Sequence, residues 1–191
     1  MADIEKPDPT IYGGEDGMTT GIAKYNDKLV TIIDFEKILF DISPEVGFSP
    51  DDVSTLGSRT RSNKPILLAE DSPLLEKLII NSLEKAGYVN LICSSNGQEA
   101  WGILQNIKAG QGPIENRVAA VITDIEMPLM DGNKLLALIK EDDVLKKLPV
   151  IIFSSIITDE MRAQGIKLGA VASISKPEIA NLVTVLDSHI L

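Results

Sequence analysis

Val121-Ile122-Thr123-Asp124-Ile125-Glu126-Met127-Pro128-Leu129-Met130-Asp131-Gly132 is the stretch on which the reading of this chain turns. An apolar, β-branched run ends on a single aspartate, and Met-Pro and Asp-Gly follow within eight residues. Such a run suits a strand buried on both faces of a parallel sheet, and the proline and glycine behind it turn the chain. Asp124 would then stand at the C-terminal edge of the strand, where open α/β sheets bind their ligands. Taken alone, Asp124 reads more simply as a residue that begins a turn, and the rest of the chain has to decide.

Outward from this stretch, apolar runs alternate with helical patterns of ten to fifteen residues, as in a parallel sheet covered on both faces. Strands are predicted at 66–69, 89–93, 119–123, 150–153 and 172–174, each followed by a helix. The first helix starts at Ser72-Pro73, a cap with proline at the first helical position, and stops at Gly87. Its apolar stripe of Leu75, Leu78, Ile79, Leu83 and Ala86 is spaced to face a sheet. The second, at 97–109, is expected to bury Ala100, Trp101, Leu104 and Ile107, with Trp101 in the core rather than against a ligand. The remaining helices fall at 133–142, 159–168 and 178–188, and residues 109–116 form a surface loop rich in glycine.

Ahead of residue 65 the rhythm differs. Residues 1–19, rich in proline, glycine, acid and threonine, read as a loop or mobile segment. Segments 20–25 and 28–33 flank Asn26-Asp27, a two-residue connection suited to a tight hairpin. Asp34 then stands as an N-cap before Phe35-Glu36-Lys37-Ile38-Leu39-Phe40, a short helix. Two strands and one helical turn cannot bury the apolar face they present, so this piece needs a partner. Residues 41–64, with Ser, Pro, Asp, Gly and Arg and no sustained apolar period, mark a linker with room for one helical turn at 50–56.

Composition narrows the function. A net charge of −10 argues against nonspecific attraction to nucleic acid or anionic lipid. No basic module follows the fifth helix, which disfavours a transcription factor. Cys93 is the single cysteine and reads as inert core, and a lone histidine, His189, excludes a zinc site built on several histidines. No apolar run approaches the roughly 18 residues of a membrane span, and the first residues are not those of a signal peptide. The sequence reads as cytoplasmic, without membrane insertion and without a nucleic-acid partner.

In a parallel sheet the residues just after the strands meet at one edge. They are Glu70 and Asp71, then Asp124, then Ser154 and Ser155, then Ser175, Lys176 and Pro177. Three carboxylates at close quarters raise one another's pKa unless a cation joins them. Mg2+ fits, since it takes oxygen ligands and keeps several waters. With a phosphoryl donor held in line, the Asp124 carboxylate would act as nucleophile, Lys176 would neutralise charge on the phosphoryl oxygens, and the Ser154 hydroxyl would donate to one of them. Singly, Lys176 is a solvated lysine and Ser154 a turn residue; that reading fails only for the whole set.

These residues carry a resemblance to response-regulator receiver domains: Leu68-Ala69-Glu70-Asp71-Ser72, Thr123-Asp124-Ile125-Glu126-Met127-Pro128 with Asp131-Gly132, Phe153-Ser154-Ser155 and Ser175-Lys176-Pro177. Over about 65–191 the resemblance implies a five-stranded, doubly wound, flavodoxin-like domain of strand order 2-1-3-4-5. It implies Asp124 as phosphoacceptor, Glu70, Asp71 and Asp124 as Mg2+ carboxylates, and Glu126 as donor of a backbone carbonyl to the metal. Ser154, with Ser155 beside it, resembles the switch hydroxyl of the family, and Lys176 its phosphate-binding lysine.

Two departures stand out. The loop at 109–117 lengthens the interval from Asp71 to Asp124, which should alter the surface and leave the site intact. Ser173, three before Lys176, stands where many receivers place a tyrosine or phenylalanine, so the usual aromatic relay is in question. Upstream, Gly21-Ile22, Leu29-Val30-Thr31-Ile32-Ile33-Asp34 and the helix after them resemble the C-terminal end of a CheW-like coupling domain over about 20–40.

A coupling domain, a linker and a receiver are the layout of CheV-type chemotaxis proteins, here with the coupling part truncated. The resemblance implies a regulator phosphorylated by a CheA-type histidine kinase, and a link to the chemoreceptor complex where the coupling domain is complete. Two other classes are weighed against it. A phosphatase with an aspartyl-phosphate intermediate needs a second acid two residues after the nucleophile, where Glu126 is longer than the usual aspartate. A pseudo-receiver would serve only as a binding platform and would bind no Mg2+.

Overall fold

The computed structural model describes residues 4–5, 19–25, 28–33, 38, 53, 56–57 and 61–190. The chain divides into two units, Met1–Gly47 and Phe48–Leu191. In the first, β1 (Ile4–Glu5), β2 (Thr19–Tyr25) and β3 (Lys28–Ile33) form an antiparallel sheet in that order. β2 and β3 pair from Tyr25 opposite Lys28 to Thr19 opposite Ile33, the hairpin expected from the sequence. β1 lies within a stretch expected to be irregular, yet Ile4 pairs with Ala23 and Glu5 with Ile22. A hairpin leaves one edge of β2 with open backbone donors and acceptors, and a short segment satisfies them there. Asn26-Asp27, the helix expected at 35–40 apart from helical Ile38, and most of the linker at 41–64 lie outside the described residues.

The second unit holds five parallel strands: β4 (Ile66–Ala69), β5 (Leu91–Ser94), β6 (Ala120–Thr123), β7 (Val150–Ser154) and β8 (Ala172–Ser175). Their order is β5-β4-β6-β7-β8, which is 2-1-3-4-5 counted within the unit. Helices α1 (Pro73–Lys85), α2 (Gly97–Lys108), α3 (Gly132–Glu141) and α4 (Asp159–Leu168) connect successive strands, and α5 (Ile179–Ile190) follows the last.

The pleat sorts the strands' side chains with a period of two. Ile66, Leu68, Ala120, Ile122, Ile151, Phe153 and Ile174 pack with Ile79 and Leu83 of α1 and Leu182, Val183 and Leu186 of α5. Leu67, Ala69, Val121, Val150 and Ile152 pack on the other face with Ala100 and Leu104 of α2 and Leu135, Leu136 and Ile139 of α3. Trp101 and Ile107 are partly buried against this second cluster. Strands β4 to β7 are thus apolar on both sides up to their C-terminal ends, where the polar groups fall, while β8 also carries the buried Ser173.

Caps fix where the helices begin. The Ser72 hydroxyl accepts the Leu75 N–H at 3.4 Å ahead of Pro73, the Asp131 carboxylate accepts that of Lys134 at 2.8 Å, and the Thr158 hydroxyl accepts that of Met161 at 3.2 Å. Gly169, at φ 101°, closes α4 in the left-handed region.

Two features differ from expectation. β5 starts at Leu91 rather than at residue 89, because Tyr88 and Val89 bond elsewhere. The Ser62 N–H donates to Gly87 at 2.8 Å, and Ser62 bridges Tyr88 in parallel. Val53, in the stretch expected to be linker, is buried in the α1/α5 cluster with Leu56 packed against it. Among the described residues no helix is long and apolar enough to cross a membrane.

The long α2–β6 connection is held down at two points. Ile114, in a 3-10 turn at Ile114–Asn116, is buried in the α2/α3 cluster. The Arg117 guanidinium donates to the Ile107 carbonyl at the end of α2, and to that of Gly112 at 3.0 Å.

Candidate functional site

Register brings the strand ends level. Ala69 is aligned with Ser94 on one side and Thr123 on the other, and Ser154 with Ser175. The next residues extend the ladder: the Asp124 N–H donates to Ala69, the Glu70 N–H to Ser94 and the Lys176 N–H to Ser154, each at 3.0 Å. Residues distant in sequence therefore leave the sheet together at one edge.

Glu70, Asp71 and Asp124 each offer a carboxylate oxygen within 4.8 Å of the others. Glu70 and Asp124 are 2% and 5% exposed, while Asp71 is open to solvent. Lys176, 3% exposed, extends its ammonium between the buried pair. Its Nζ lies 2.7 Å from Asp124 Oδ2 and 3.0 Å from Glu70 Oε2. The other Asp124 oxygen accepts the Ile125 N–H at 2.6 Å, and Glu70 Oε1 accepts the Ser72 N–H at 3.2 Å. Hard oxygen donors, one of them solvated, suit a divalent ion that keeps part of its water shell.

Burial pushes the Glu70 pKa up to about 8. The Lys176 charge pulls it down by less than burial raises it, and the Asp124 carboxylate adds a further upward push. Crowding by the Asp124 carboxylate therefore raises the value as expected, but removal from water is the larger cause. Cys93 is half-buried against the core, and burial, followed by the Glu76 charge, raises its thiol pKa. It stays protonated at neutral pH, as an inert core cysteine does.

The other residues expected at the site fall in two groups. Ser154 ends β7 and is buried; Ser155, one residue on, is exposed. Glu126 is exposed two residues after Asp124, so its side chain faces solvent and its carbonyl belongs to the loop beside the acidic cluster. Ser173 is buried on β8, facing α4, and its hydroxyl has no hydrogen-bond partner. A Cβ placed on Gly165 of α4 would come within 2.6 Å of Ser173 Oγ and of Ile152 Cδ1, so backbone occupies the space that a ring at 173 would need on this face. The Arg162 guanidinium, also from α4, donates to the Ser173 carbonyl.

Two glycines hold the loop that follows Asp124. Gly132 donates its N–H to Ile125 at 2.9 Å, closing the loop after Asp124, and Gly97 donates to Met130 at 3.1 Å. Asp131-Gly132 read as a turn and as part of the receiver motif, whereas Gly97 read only as the start of the second helix.

A five-stranded parallel sheet that converges Glu70, Asp71, Asp124 and Lys176 at one edge is the architecture of receivers, and the chain belongs to the response regulator receiver domain family, whose profile matches residues 66–187. Among curated proteins it is similar to chemotaxis protein CheV2 of Helicobacter pylori, 32% identical over 173 residues that cover 88% of this chain and 52% of that protein. It is also similar to CheV1 of the same organism, 29% identical over 168 residues, 86% of this chain and 50% of that protein. The chain thus spans about half the length of these relatives. Among solved structures, a CheX–CheY–BeF3–Mg2+ complex from Borrelia burgdorferi contains a similar chain, with TM-score 0.58 and 26% identity over 67% of this chain and 90% of that one.

Proposed function

We propose that this chain is a phosphoacceptor regulator of two-component signalling, of the chemotaxis CheV kind, rather than an enzyme acting on a separate substrate. The observation that carries the reading is the convergence of three carboxylates at the sheet edge, two of them paired with the ammonium of Lys176. In this reading Asp124 attacks the phosphorus of a phosphohistidine on a CheA-type kinase. An O–P bond forms as the P–N bond breaks, and the electron pair leaves with the imidazole nitrogen, which takes up a proton. The Ile125 N–H already holds one Asp124 oxygen and orients the carboxylate for attack.

Glu70, Asp71, Asp124 and the Glu126 carbonyl are the groups that would hold Mg2+, which when bound neutralises charge on the phosphoryl group. Lys176 and the Ser154 hydroxyl bind phosphoryl oxygens, with Ser155 at the open side of the same loop. The readout then runs through α4, since Ser173 offers no aromatic ring to move and α4 touches it at Gly165 and Arg162. We place the protein in the cytoplasm, with the kinase as partner and the chemoreceptor complex as the assembly it modulates.

The test is phosphotransfer from a phosphorylated CheA-type kinase, or from acetyl phosphate, with Mg2+ present. The chain is expected to take up one phosphoryl group, and Asp124→Asn none. No uptake by the Mg2+-loaded wild type, or equal uptake by Asp124→Asn, refutes the proposal.

A further inference from the structure

The corner between β5 and α2 touches both sides of the acidic cluster. On one side, the Glu70 N–H donates to the Ser94 carbonyl at 3.0 Å, and the buried Ser94 hydroxyl donates to Leu68 at 3.2 Å. On the other, the Gly97 N–H donates to the Met130 carbonyl at 3.1 Å. The first N–H groups of a helix have no partner within it, and here one of them is satisfied by the loop that follows Asp124.

The corner itself is stiff. The Asn96 side chain accepts the Glu99 N–H at 2.9 Å, while the Ser95 N–H and hydroxyl donate to the Glu99 carboxylate at 2.8 and 2.9 Å. These reciprocal bonds cap α2 and fix its first turn. Gly97 is required there for close approach, since a Cβ would stand 2.5 Å from the Met130 carbonyl oxygen and 3.0 Å from Met130 Cγ. Next to that contact, Leu129 has φ 65°, the only left-handed non-glycine residue among those described. Such a conformation persists only where the surroundings over-determine it. The bonds of Gly97 to Met130 and of Gly132 to Ile125 do so here.

We infer that Gly97 is a positioning residue for cation binding: through the bracket of residues 94–97 it fixes the separation between Glu70-Asp71 and the loop bearing Asp124 and Glu126. The inference rests on the metal reading given above and extends it to a residue that touches no ligand. Its consequence is that bulk at position 97 displaces the loop and spoils the spacing of the oxygens while the strands stay intact.

The test compares wild type, Gly97→Ala, Gly102→Ala and Asn96→Ala by calorimetric Mg2+ titration, by thermal unfolding without metal and by amide NMR of the metal-free chains. Gly102 lies on the same helix with open space around it, so its alanine variant is the control for helix propensity. Gly97→Ala is expected to weaken Mg2+ binding ~10-fold or more, as loss of outer supports of a metal site does. It is also expected to shift the amides at 126–131, with Gly102→Ala doing neither. Wild-type affinity in folded Gly97→Ala, or an equal loss in Gly102→Ala, overturns the inference.

Should Gly97→Ala not fold, Asn96→Ala decides. It frays the same helix start without adding bulk, and a weaker Mg2+ affinity supports the bracket while an unchanged one overturns it. If the wild type binds no Mg2+, the metal reading falls, and the amide shifts at 126–131 still report whether Gly97 holds the loop.

Discussion

Replacing Lys176 with methionine keeps most of the stem and removes the charge that two buried carboxylates share. Nζ stands 2.7 Å from Asp124 Oδ2 and 3.0 Å from Glu70 Oε2. At an effective dielectric of about 20, such a contact between two full charges is worth roughly 5–6 kcal/mol before desolvation is counted, a state that Glu70 reaches only above about pH 8. Desolvation returns most of that, and the net cost of stripping one partner from a buried pair is about 3–5 kcal/mol. Glu70 limits the loss at neutral pH, because burial holds its pKa at about 8 even beside the lysine and the carboxyl takes a proton in place of an unpaired charge.

The pH dependence follows from that direction. A glutamate raised from 4.5 to about 8 in the folded state contributes stability fully below pH 4.5 and loses it as pH rises through about 8. Removing Lys176 takes away the attraction that lowers this value, so the decline in the variant extends to higher pH. In urea unfolding without metal, Lys176→Met is expected to fall below wild type by about 2 kcal/mol near pH 5.5 and about 4 kcal/mol near pH 8.5. Saturating Mg2+ should recover most of the deficit, since a bound cation takes over the neutralising role. A deficit equal at both pH values and unaffected by Mg2+ would show that Lys176 acts by packing, and the electrostatic account would fail.

Two further outcomes test the departures from the family pattern. Ser173→Ala removes a buried hydroxyl that has no partner and should raise the unfolding free energy by about 1 kcal/mol. Ser173→Tyr should lower it by about 1–3 kcal/mol, because α4 lies too close for a ring, and both changes are read from chemical denaturation. Arg117→Ala should speed hydrogen exchange across 107–117 and cost about 1–3 kcal/mol, through the carbonyls of Ile107 and Gly112 that lose their donor. It should leave the Mg2+ affinity unchanged, because the α2–β6 connection lies at the opposite edge of the sheet from Asp124.

Most of the unit from residue 65 onward was legible in the sequence because local and global signals agree. Ser72-Pro73 marks a helix start by its chemistry, and the runs before Glu70, Asp124 and Ser154 are apolar on both faces, so their polar successors had to fall at one edge. What was not legible depends on contacts that composition does not encode. Tyr88-Val89 has strand propensity but pairs with Ser62, within a stretch whose turn-rich composition marked a linker. Gly97 resembles any glycine at a helix start until the Met130 carbonyl is placed beside it. The charge state of Glu70 needed the depth of its burial, which only the packed structure supplies.

The two edges of the sheet divide the work. At the C-terminal edge the strands deliver groups whose burial is costly alone: two carboxylates and an ammonium, together with an orienting N–H from Ile125. At the N-terminal edge the preceding segment is fastened by Ser62 to Gly87 and by the Lys64 ammonium to the Ile190 carbonyl at the end of α5. Tyr88 donates to Asp187 at 2.5 Å close by, tying the α1–β5 turn to α5. A change at Asp124 therefore reaches the entering chain only by crossing the height of the domain, along strands whose interiors are close-packed on both faces. Rigid strands transmit little, whereas α4 is joined to its strand at a glycine-on-serine contact with an unsatisfied hydroxyl. α4 buries only Gly165 whereas α5 buries Ile179, Leu182, Val183, Leu186 and Ile190, so the proposed readout through α4 disturbs less buried packing than one through α5 would.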